Sequence, residues 1–238
     1  MIDTHAHIDS RLCDIREVAG LEAVILSGAS LKTSKNNLLL AEKYPILKAA
    51  VGIHPQDIND DINLLEELVK NENVIAVGEC GLEFVGEVDI KKQEEYFRKQ
   101  IELAIKYDKA LIIHARKAMD ETIQILGGYK NLRGVIHCYS GGKKRVKKVL
   151  ELPGEWYFGF DGNLTYEAGL EEVVKSIPKE RMLAETDSPL LTPVPFRGER
   201  NMPAYVKYVY QKIADIWGES FKKTEVIIDA NARKLFGI

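Results

Sequence analysis

The stretches Leu111-Ile112-Ile113-His114 and Gly134-Val135-Ile136-His137 decide the fold class, because each is a short apolar run that ends in a histidine. A continuous apolar run of this length is typical of a strand that is covered on both faces, as in a parallel sheet. Residues 117–127 between the two runs have a helical pattern. The sequence here therefore predicts two parallel strands joined by a helix.

The same alternation extends along the whole chain. Candidate strands lie near residues 1–6, 21–27, 47–53, 73–79, 110–114, 134–138, 156–160 and 182–187. Helical patterns alternate with them near residues 30–43, 61–70, 89–107, 117–127, 143–151, 166–176, 203–217 and 222–235. This order predicts a single (β/α)8 TIM barrel over residues 1–238, with its active site at the carboxyl ends of the strands. An open doubly wound sheet is the alternative, but no glycine-rich phosphate-binding motif follows the first strand.

Composition and charge limit the function classes. The 238 residues are 45% hydrophobic, which is ample for the core of one barrel. The net charge of −3 gives no general attraction to nucleic acid, so polyanion binding would need a local basic patch or metal ions. Three cysteines without C-x-x-C spacing argue against a disulfide framework and favour a reducing cytoplasm. Because no leader pattern or membrane-spanning stretch is found, we expect no membrane association, and no obligate protein partner is implied.

Histidines and carboxylates follow the predicted strands at corresponding places. Side chains two residues apart on a strand point to the same side, so His5 and His7 can both face the barrel axis. The carboxyl ends of barrel strands converge on one face, which brings together residues that are distant in sequence. We therefore expect a mixed nitrogen and oxygen ligand set formed by His5, His7, Glu79, His114, His137 and Asp187.

The size of this set predicts a binuclear metal centre. Six ligands exceed the three or four that one zinc ion takes, and a carboxylate can bridge two ions. We expect Glu79 to bridge two divalent metal ions, with Mg²⁺, Mn²⁺ and Zn²⁺ all left open, and Asp187 to orient the attacking water and accept its proton. Two divalent ions against two carboxylates leave a formal charge of about +2, which suits a phosphodiester.

Substrate contacts are expected around this centre. Arg116 lies two residues after His114, where a guanidinium can hold a phosphate oxygen; a salt bridge to a loop acid is the alternative. Arg197 and Arg200 lie in the long loop after the last predicted strand, on the active face. His54 is expected to face the substrate or leaving group, with a structural imidazole as the alternative. The predicted catalytic residues are Asp187, His54 and Glu79.

Other residues near the predicted ligands each have more than one possible role. Glu83 and Glu185 are either acceptors behind the ligands or plain ion pairs. The basic run 143–148 is better explained as a solvated helix face than as a path for a nucleic-acid backbone. Cys80 and Cys138 each follow a ligand directly, so on a strand they would point away from it and are expected to be packed thiols.

The motifs, taken in order, resemble the TatD-related family of metal-dependent deoxyribonucleases, a branch of the amidohydrolase-like barrels. They are Asp3-Thr4-His5-Ala6-His7, Gly52-Ile53-His54-Pro55, Gly78-Glu79-Cys80-Gly81-Leu82, His114-Ala115-Arg116, His137-Cys138-Tyr139-Ser140-Gly141, Glu185-Thr186-Asp187-Ser188-Pro189, Arg197-Gly198-Glu199-Arg200-Asn201 and Asn231 near Phe236-Gly237. The resemblance implies a TIM barrel, two divalent metals and a cytoplasmic 3′→5′ exonuclease or related phosphodiesterase. It assigns metals to the same six residues and places His54 on the substrate side.

The chain departs from the family pattern at two places. Glu83 stands where the family usually has aspartate, and the stretch between His7 and the second strand is short. The shorter stretch bears on the preferred substrate rather than on the chemistry.

Two other function classes can share this ligand set. One is an amidohydrolase-type enzyme that cleaves an amide, ester or aminoacyl bond, and the other is a non-enzymatic metal-binding scaffold. A nuclease needs cations at the mouth of the site, and the predicted arginines meet that need. DNA or another phosphodiester is therefore the expected binding partner.

Overall fold

Eight parallel strands form the barrel, and each pairs with the next strand in the chain. The structure is a computed structural model that describes residues 1–8 and 15–238. The strands are β1 Ile2–Ala6, β2 Ala23–Leu26, β3 Leu47–Val51, β4 Val74–Glu83, β5 Ala110–Arg116, β6 Arg133–Ile136, β7 Glu155–Phe160 and β8 Met182–Ala184. Because the pairing is parallel throughout, all the carboxyl ends lie at one end of the barrel. The predicted (β/α)8 barrel is confirmed.

Helices alternate with these strands. They are α1 Leu31–Lys43, α2 Leu65–Val69, α3 Ile90–Lys106, α4 Met119–Leu126, α5 Lys143–Leu150, α6 Leu170–Val174, α7 Val206–Trp217 and α8 Phe221–Phe236. Short 3₁₀ helices lie at Ile15–Val18, Ile62–Leu64, Gly162–Thr165, Lys179–Arg181 and Pro203–Tyr205. Segments of three or four residues are too short to show a helical period in sequence, so the predicted ranges either missed or absorbed them.

Helix α3 shows how the sequence builds the outer layer. The Asp89 side chain accepts a hydrogen bond from the backbone N–H of Lys92 and so caps the first turn. The buried residues Phe97, Ile101 and Ala104 recur at helical spacing and pack on the barrel. The amphipathic pattern predicted for residues 89–107 is therefore the face that covers the strands.

The side chains of each strand alternate between two hydrophobic layers. On β5, Ala110 and Ile112 belong to the cluster that fills the barrel, whereas Leu111 and Ile113 pack under the helices. Helix α8 adds Phe236 to the inner cluster. Continuing this alternation by one residue turns His114 to the inside, just above the packed interior.

Several strands end at positions other than those predicted, and the largest differences are in β4 and β8. β4 continues past 79 to Glu83, because β5 also continues and pairs with it as far as Arg116. The pairing of β4 with β5 shifts register between Val77 and Cys80, so Glu79 lies within an irregular strand rather than at a strand end. β8 stops at Ala184, and the chain after it follows the carboxyl end of β1.

The seam between β1 and β8 is joined mainly by backbone contacts. The His7 N–H donates to the Ser188 carbonyl at 2.7 Å, and the Asp187 N–H donates to the His5 carbonyl at 2.9 Å. The Thr4 hydroxyl donates to the Ala184 carbonyl at 3.1 Å. These contacts close the barrel at its carboxyl end. Among the described residues, no helix has the length and apolar character needed to cross a membrane.

Candidate metal centre

A cavity of about 650 Å³ opens at the carboxyl ends of the strands. Most of the side chains that line it are polar, and the lining also includes Leu190 and Leu191. Of the six residues predicted as ligands, five line this cavity: His7, Glu79, His114, His137 and Asp187. The sixth, His5, is completely buried beneath them.

Four donor atoms from four residues form a compact group, which we call the first donor group: His5 Nε2, His7 Nε2, Glu79 Oε2 and Asp187 Oδ1. The two imidazole nitrogens are 3.1 Å apart, and each lies 3.3–3.5 Å from both carboxylate oxygens. Donor atoms that share one tetrahedral zinc-sized ion at about 2.0–2.2 Å are separated by about 3.3–3.6 Å. The spacing and the chemistry of this group therefore fit a divalent cation.

Three atoms form a second donor group: Glu79 Oε1, His114 Nδ1 and His137 Nε2. Each nitrogen lies 2.8 Å from the glutamate oxygen, and the nitrogens are 3.2 Å apart. Glu79 thus offers one carboxylate oxygen to each donor group. The arrangement can hold cations at two adjacent positions.

Contacts behind the imidazoles fix which nitrogen faces each donor group. His7 Nδ1 lies 3.1 Å from the Ser27 carbonyl, so that nitrogen donates to the carbonyl and Nε2 is the nitrogen turned to the first donor group. His114 Nε2 lies 2.9 Å from Glu83 Oε2, which leaves Nδ1 for the second donor group. His137 Nδ1 is 3.6 Å from Glu185 Oε1. Glu83 and Glu185 are both buried, so neither is a surface ion pair. Glu83 is within hydrogen-bond distance of His114, whereas Glu185 is too far from His137 for a hydrogen bond and accepts one from the Cys138 backbone N–H at 2.6 Å.

Sequence reasoning gave no role to Asp3, which aligns the two sides of the seam. Its Oδ1 accepts hydrogen bonds from the backbone N–H groups of Thr186 at 2.9 Å and His5 at 3.3 Å. Its Oδ2 lies 2.6 Å from the Thr186 hydroxyl. The available signal was a carboxylate two residues before His5, within the first predicted strand. Asp3 holds the backbones that carry His5 and Asp187 in register.

The electrostatics of the site favour positive charge on His7, whereas burial lowers the pKa of His5. Burial alone would lower the pKa of His7, but hydrogen bonds to Asp187 and Glu79 outweigh it and raise the pKa to about 10. Burial would raise the pKa of Glu79, but the charge of His137 and hydrogen bonds from His114 and His137 hold it well below its usual range. A divalent cation between these carboxylates would satisfy the same electrostatic preference.

His54 faces the second donor group from outside it. The Gln56 backbone N–H donates to His54 Nδ1 at 3.1 Å, so the ring proton lies on Nε2. That nitrogen is 3.6 Å from Glu79 Oε1. Burial lowers the pKa of His54 to about 4, more than the nearby Glu79 charge raises it. The side chain is therefore a neutral hydrogen-bond donor that points into the cavity.

The three arginines predicted as substrate contacts have different surroundings. Arg116 lines the cavity, with its guanidinium 64% exposed and 3.6 Å from Glu83 Oε1. Arg197 and Arg200 are not among the residues that line it. The Arg197 guanidinium lies 4.1 Å from the centre of the Tyr166 ring, and Arg200 pairs with Glu17 at 2.6 Å.

One thiol expectation was wrong. Cys80 is buried and packed, as expected. Cys138, however, lines the cavity and is partly exposed. β6 ends at Ile136, and the Cys138 backbone has a φ of 44°, so strand alternation no longer applies there.

The basic run lies on the surface of α5, where most of its cations are paired with acids. Lys143 pairs with Glu172, and Lys148 and Arg145 both pair with Asp120. This is the solvated helix face that the sequence favoured.

Comparisons with known proteins agree with this geometry. The family profile described as TatD related DNase matches residues 2–237. The chain belongs to the TatD-related DNase family. The family match and the donor groups together make the chain a metal-dependent hydrolase, and its site fits a divalent metal.

Relatives in this family match along nearly their whole lengths. The metal-dependent hydrolase YabD of Bacillus subtilis is 36% identical, over 100% of this chain and 99% of that protein. The 3′-5′ ssDNA/RNA exonuclease TatD of Citrobacter rodentium is 32% identical, over 92% of this chain and 88% of that protein. The crystal structure of YJJV, a TatD homologue from Escherichia coli, superposes with a TM-score of 0.91 at 26% identity, over 100% of this chain and 98% of that chain.

Proposed function

We propose that this TatD-family hydrolase is a phosphodiesterase with a binuclear metal centre and that it shortens single-stranded DNA or RNA from the 3′ end. The observation that carries the proposal is the position of Glu79, whose two oxygens belong to two different donor groups. The named activity of the Citrobacter rodentium relative supports the choice of substrate.

The two donor groups would hold the metals. His5, His7, Asp187 and one oxygen of Glu79 would hold one ion, and the other Glu79 oxygen, His114 and His137 would hold the second. When bound, such ions supply a water of lowered pKa and stabilise negative charge on the phosphate oxygens. Mg²⁺, Mn²⁺ and Zn²⁺ are the candidates that the first experiment compares.

The residues around the donor groups have separate proposed roles. Asp187 has one carboxylate oxygen in the first donor group and lines the cavity, so its other oxygen can accept the proton of the attacking water. His54 Nε2–H can donate a hydrogen bond to a substrate or leaving-group oxygen. Arg116 can hold a non-bridging phosphate oxygen, because its guanidinium is exposed at the cavity wall.

The proposal requires that metal restores stepwise cleavage. The test is hydrolysis of 5′-labelled single-stranded DNA by metal-stripped protein after addition of Mg²⁺, Mn²⁺ or Zn²⁺. We expect a ladder of products that shorten from the 3′ end, and we expect Asp187→Asn to lose it. An RNA strand of the same sequence, run alongside, shows which polynucleotide is preferred.

Immediate release of the labelled 5′ nucleotide, or internal cuts, would contradict the 3′→5′ exonuclease assignment while leaving the phosphodiesterase in place. DNA and RNA that stay intact with every metal would contradict both. That result would favour the alternative of an amidohydrolase-type enzyme acting on an amide, ester or aminoacyl bond.

A further inference from the structure

One wall of the cavity is apolar although it lies beside a charged centre. Leu190 and Leu191 both line the cavity, and the Leu190 side chain is 61% exposed. They follow Asp187 by three and four residues, so the apolar wall begins next to the first donor group. The metal ligands and the proposed water and phosphate contacts leave these two leucines without a role.

The backbone that carries the two leucines is held firmly. The Asn201 side-chain amide donates to the Leu190 carbonyl at 2.6 Å and to the Thr186 carbonyl at 2.9 Å. The Leu190 N–H donates to the Asp187 carbonyl at 3.0 Å. An exposed leucine on a backbone with these contacts is a fixed apolar surface rather than the tip of a loose loop.

The conformation of Leu191 adds a second observation. Its φ of 53° lies in the left-handed region, which a non-glycine residue adopts only at a cost of about 1 kcal/mol or more. Gly162 packs so closely against this segment that an added Cβ would lie 1.9 Å from the Leu191 carbonyl oxygen. The Leu191 backbone is therefore held in a strained conformation by close packing at the edge of the cavity. An observed backbone outlier beside a reactive centre points to a binding role.

The opposite wall is polar, which gives the cavity two different sides. Arg116 ends β5, and His54, Gln56 and Asp57 follow β3, so these lining residues lie across the barrel from the leucines after β8. A ligand that is anionic at one end and flat and apolar at the other matches this division. The cavity volume of about 650 Å³ is within the range that accommodates ligands of nucleotide size.

We infer that Leu190 and Leu191 form a base-binding wall, against which the nucleobase of the terminal nucleotide packs while its phosphate lies at the donor groups. The position of the phosphate rests on the proposed function. The contact between the leucines and the base is the new part of the inference. Apolar contact with a ring face does not depend on base identity, so the wall distinguishes a nucleotide from an abasic phosphodiester rather than one base from another.

Binding measurements test the wall without requiring catalysis. Calorimetric titration of the Mn²⁺-loaded protein would compare 2′-deoxyadenosine 5′-monophosphate with 2-deoxyribose 5-phosphate, which lacks the base. We expect the nucleotide to bind more tightly, and we expect Leu190→Ala to reduce that preference about fivefold to tenfold, as removal of roughly 50 Å² of apolar contact predicts. Leu190→Phe, which enlarges the apolar surface, should increase the preference.

The matched control is Leu39→Ala on α1, because Leu39 is an equally exposed leucine at 66% and does not line the cavity. This variant should leave the preference unchanged. An equal preference in Leu190→Ala and Leu39→Ala would overturn the inference, as would a protein that binds both ligands equally or neither.

Cleavage of matched oligonucleotides separates this inference from the proposed function. One substrate ends in a normal 3′ nucleotide, and the other ends in a 3′ abasic residue. Efficient and equal cleavage of both substrates would contradict the base-binding role of the two leucines while supporting the exonuclease activity. Intact oligonucleotides, combined with a base preference in titration that depends on Leu190, would support the wall and contradict the exonuclease.

Discussion

The two donor groups share Glu79, but the fold supports them differently. The first group lies at the β1–β8 seam, where backbone hydrogen bonds and the buried Asp3 carboxylate align His5 with Asp187. The second group has carboxylates behind its imidazoles, with Glu83 2.9 Å from His114 Nε2 and Glu185 3.6 Å from His137 Nδ1.

The groups also differ in the number of donor atoms. The first group has four, and the second has three. Fewer protein donors leave more coordination positions for water or substrate. We interpret the first group as the more firmly held position and the second as the position that faces the substrate. The predictions below test this division.

Glu79→Ala should have the largest effect, because it removes a donor from both groups. The first group would keep three donor residues and the second only two, so we expect bound metal to fall from two ions to one per chain. Activity should fall by about 1000-fold or more, since adjacent metal positions act together on one phosphate. Metal content measured by mass spectrometry, together with kcat on a small phosphodiester, checks both expectations.

Circular dichroism should show that the Glu79→Ala barrel stays folded, because the side chain contributes to the site and not to the apolar layers. Glu79→Gln serves as a control that keeps one neutral oxygen donor. Two bound ions and full turnover in Glu79→Ala would contradict the bridging role.

The fold was predictable to a larger extent than the details of the site. Eight apolar runs separated by helical patterns predicted the barrel, because continuous burial on two faces leaves a strong local signal. The pairing of His5 with His7 followed from strand alternation alone. The end of β4 was wrong because it depends on pairing with β5, which is a contact between distant residues.

Contacts that arise only after folding could not be read from the sequence. The link between Asp3 and Thr186 joins residues at opposite ends of the barrel order. Cys138 turned out to line the cavity because the strand before it ends early, and sequence patterns locate strand ends poorly. Localisation in the cytoplasm and the extent of the domain stay predictions.

Glu83→Gln should lower the metal affinity of the second donor group only. Loss of the charged acceptor behind a metal-binding imidazole typically lowers metal affinity about 10- to 100-fold. We therefore expect one ion to be retained and the other to be lost at lower chelator concentration. A chelator titration followed by metal analysis measures the two affinities separately.

Asp3→Asn is the matched variant for the first donor group, because it changes the carboxylate behind the seam. It should lower the affinity for the ion at the first donor group and leave the affinity at the second donor group unchanged. If Glu83→Gln and Asp3→Asn both lower the affinity for the same ion, the fold does not support the two donor groups independently, and the proposed division between them is wrong.

Substitutions of the two arginines should have the smallest effects. They test from which side of the metal centre the substrate approaches. Arg116 lies at the cavity wall beside the second group, whereas Arg200 lies outside it and is paired with Glu17. Arg116→Ala should lower kcat/KM about tenfold on both a small phosphodiester and an oligonucleotide, because a phosphate contact is common to both.

Arg200→Ala should lower kcat/KM only about twofold to threefold, and only on the oligonucleotide, because an exposed cation contributes little and can meet only a longer strand. Equal losses on both substrates would remove Arg200 from the strand path. A larger loss from Arg200→Ala than from Arg116→Ala would move the phosphate contact away from the second donor group. In that case the substrate would approach across the loop after β8, and the division of roles between the two groups would have to be reversed.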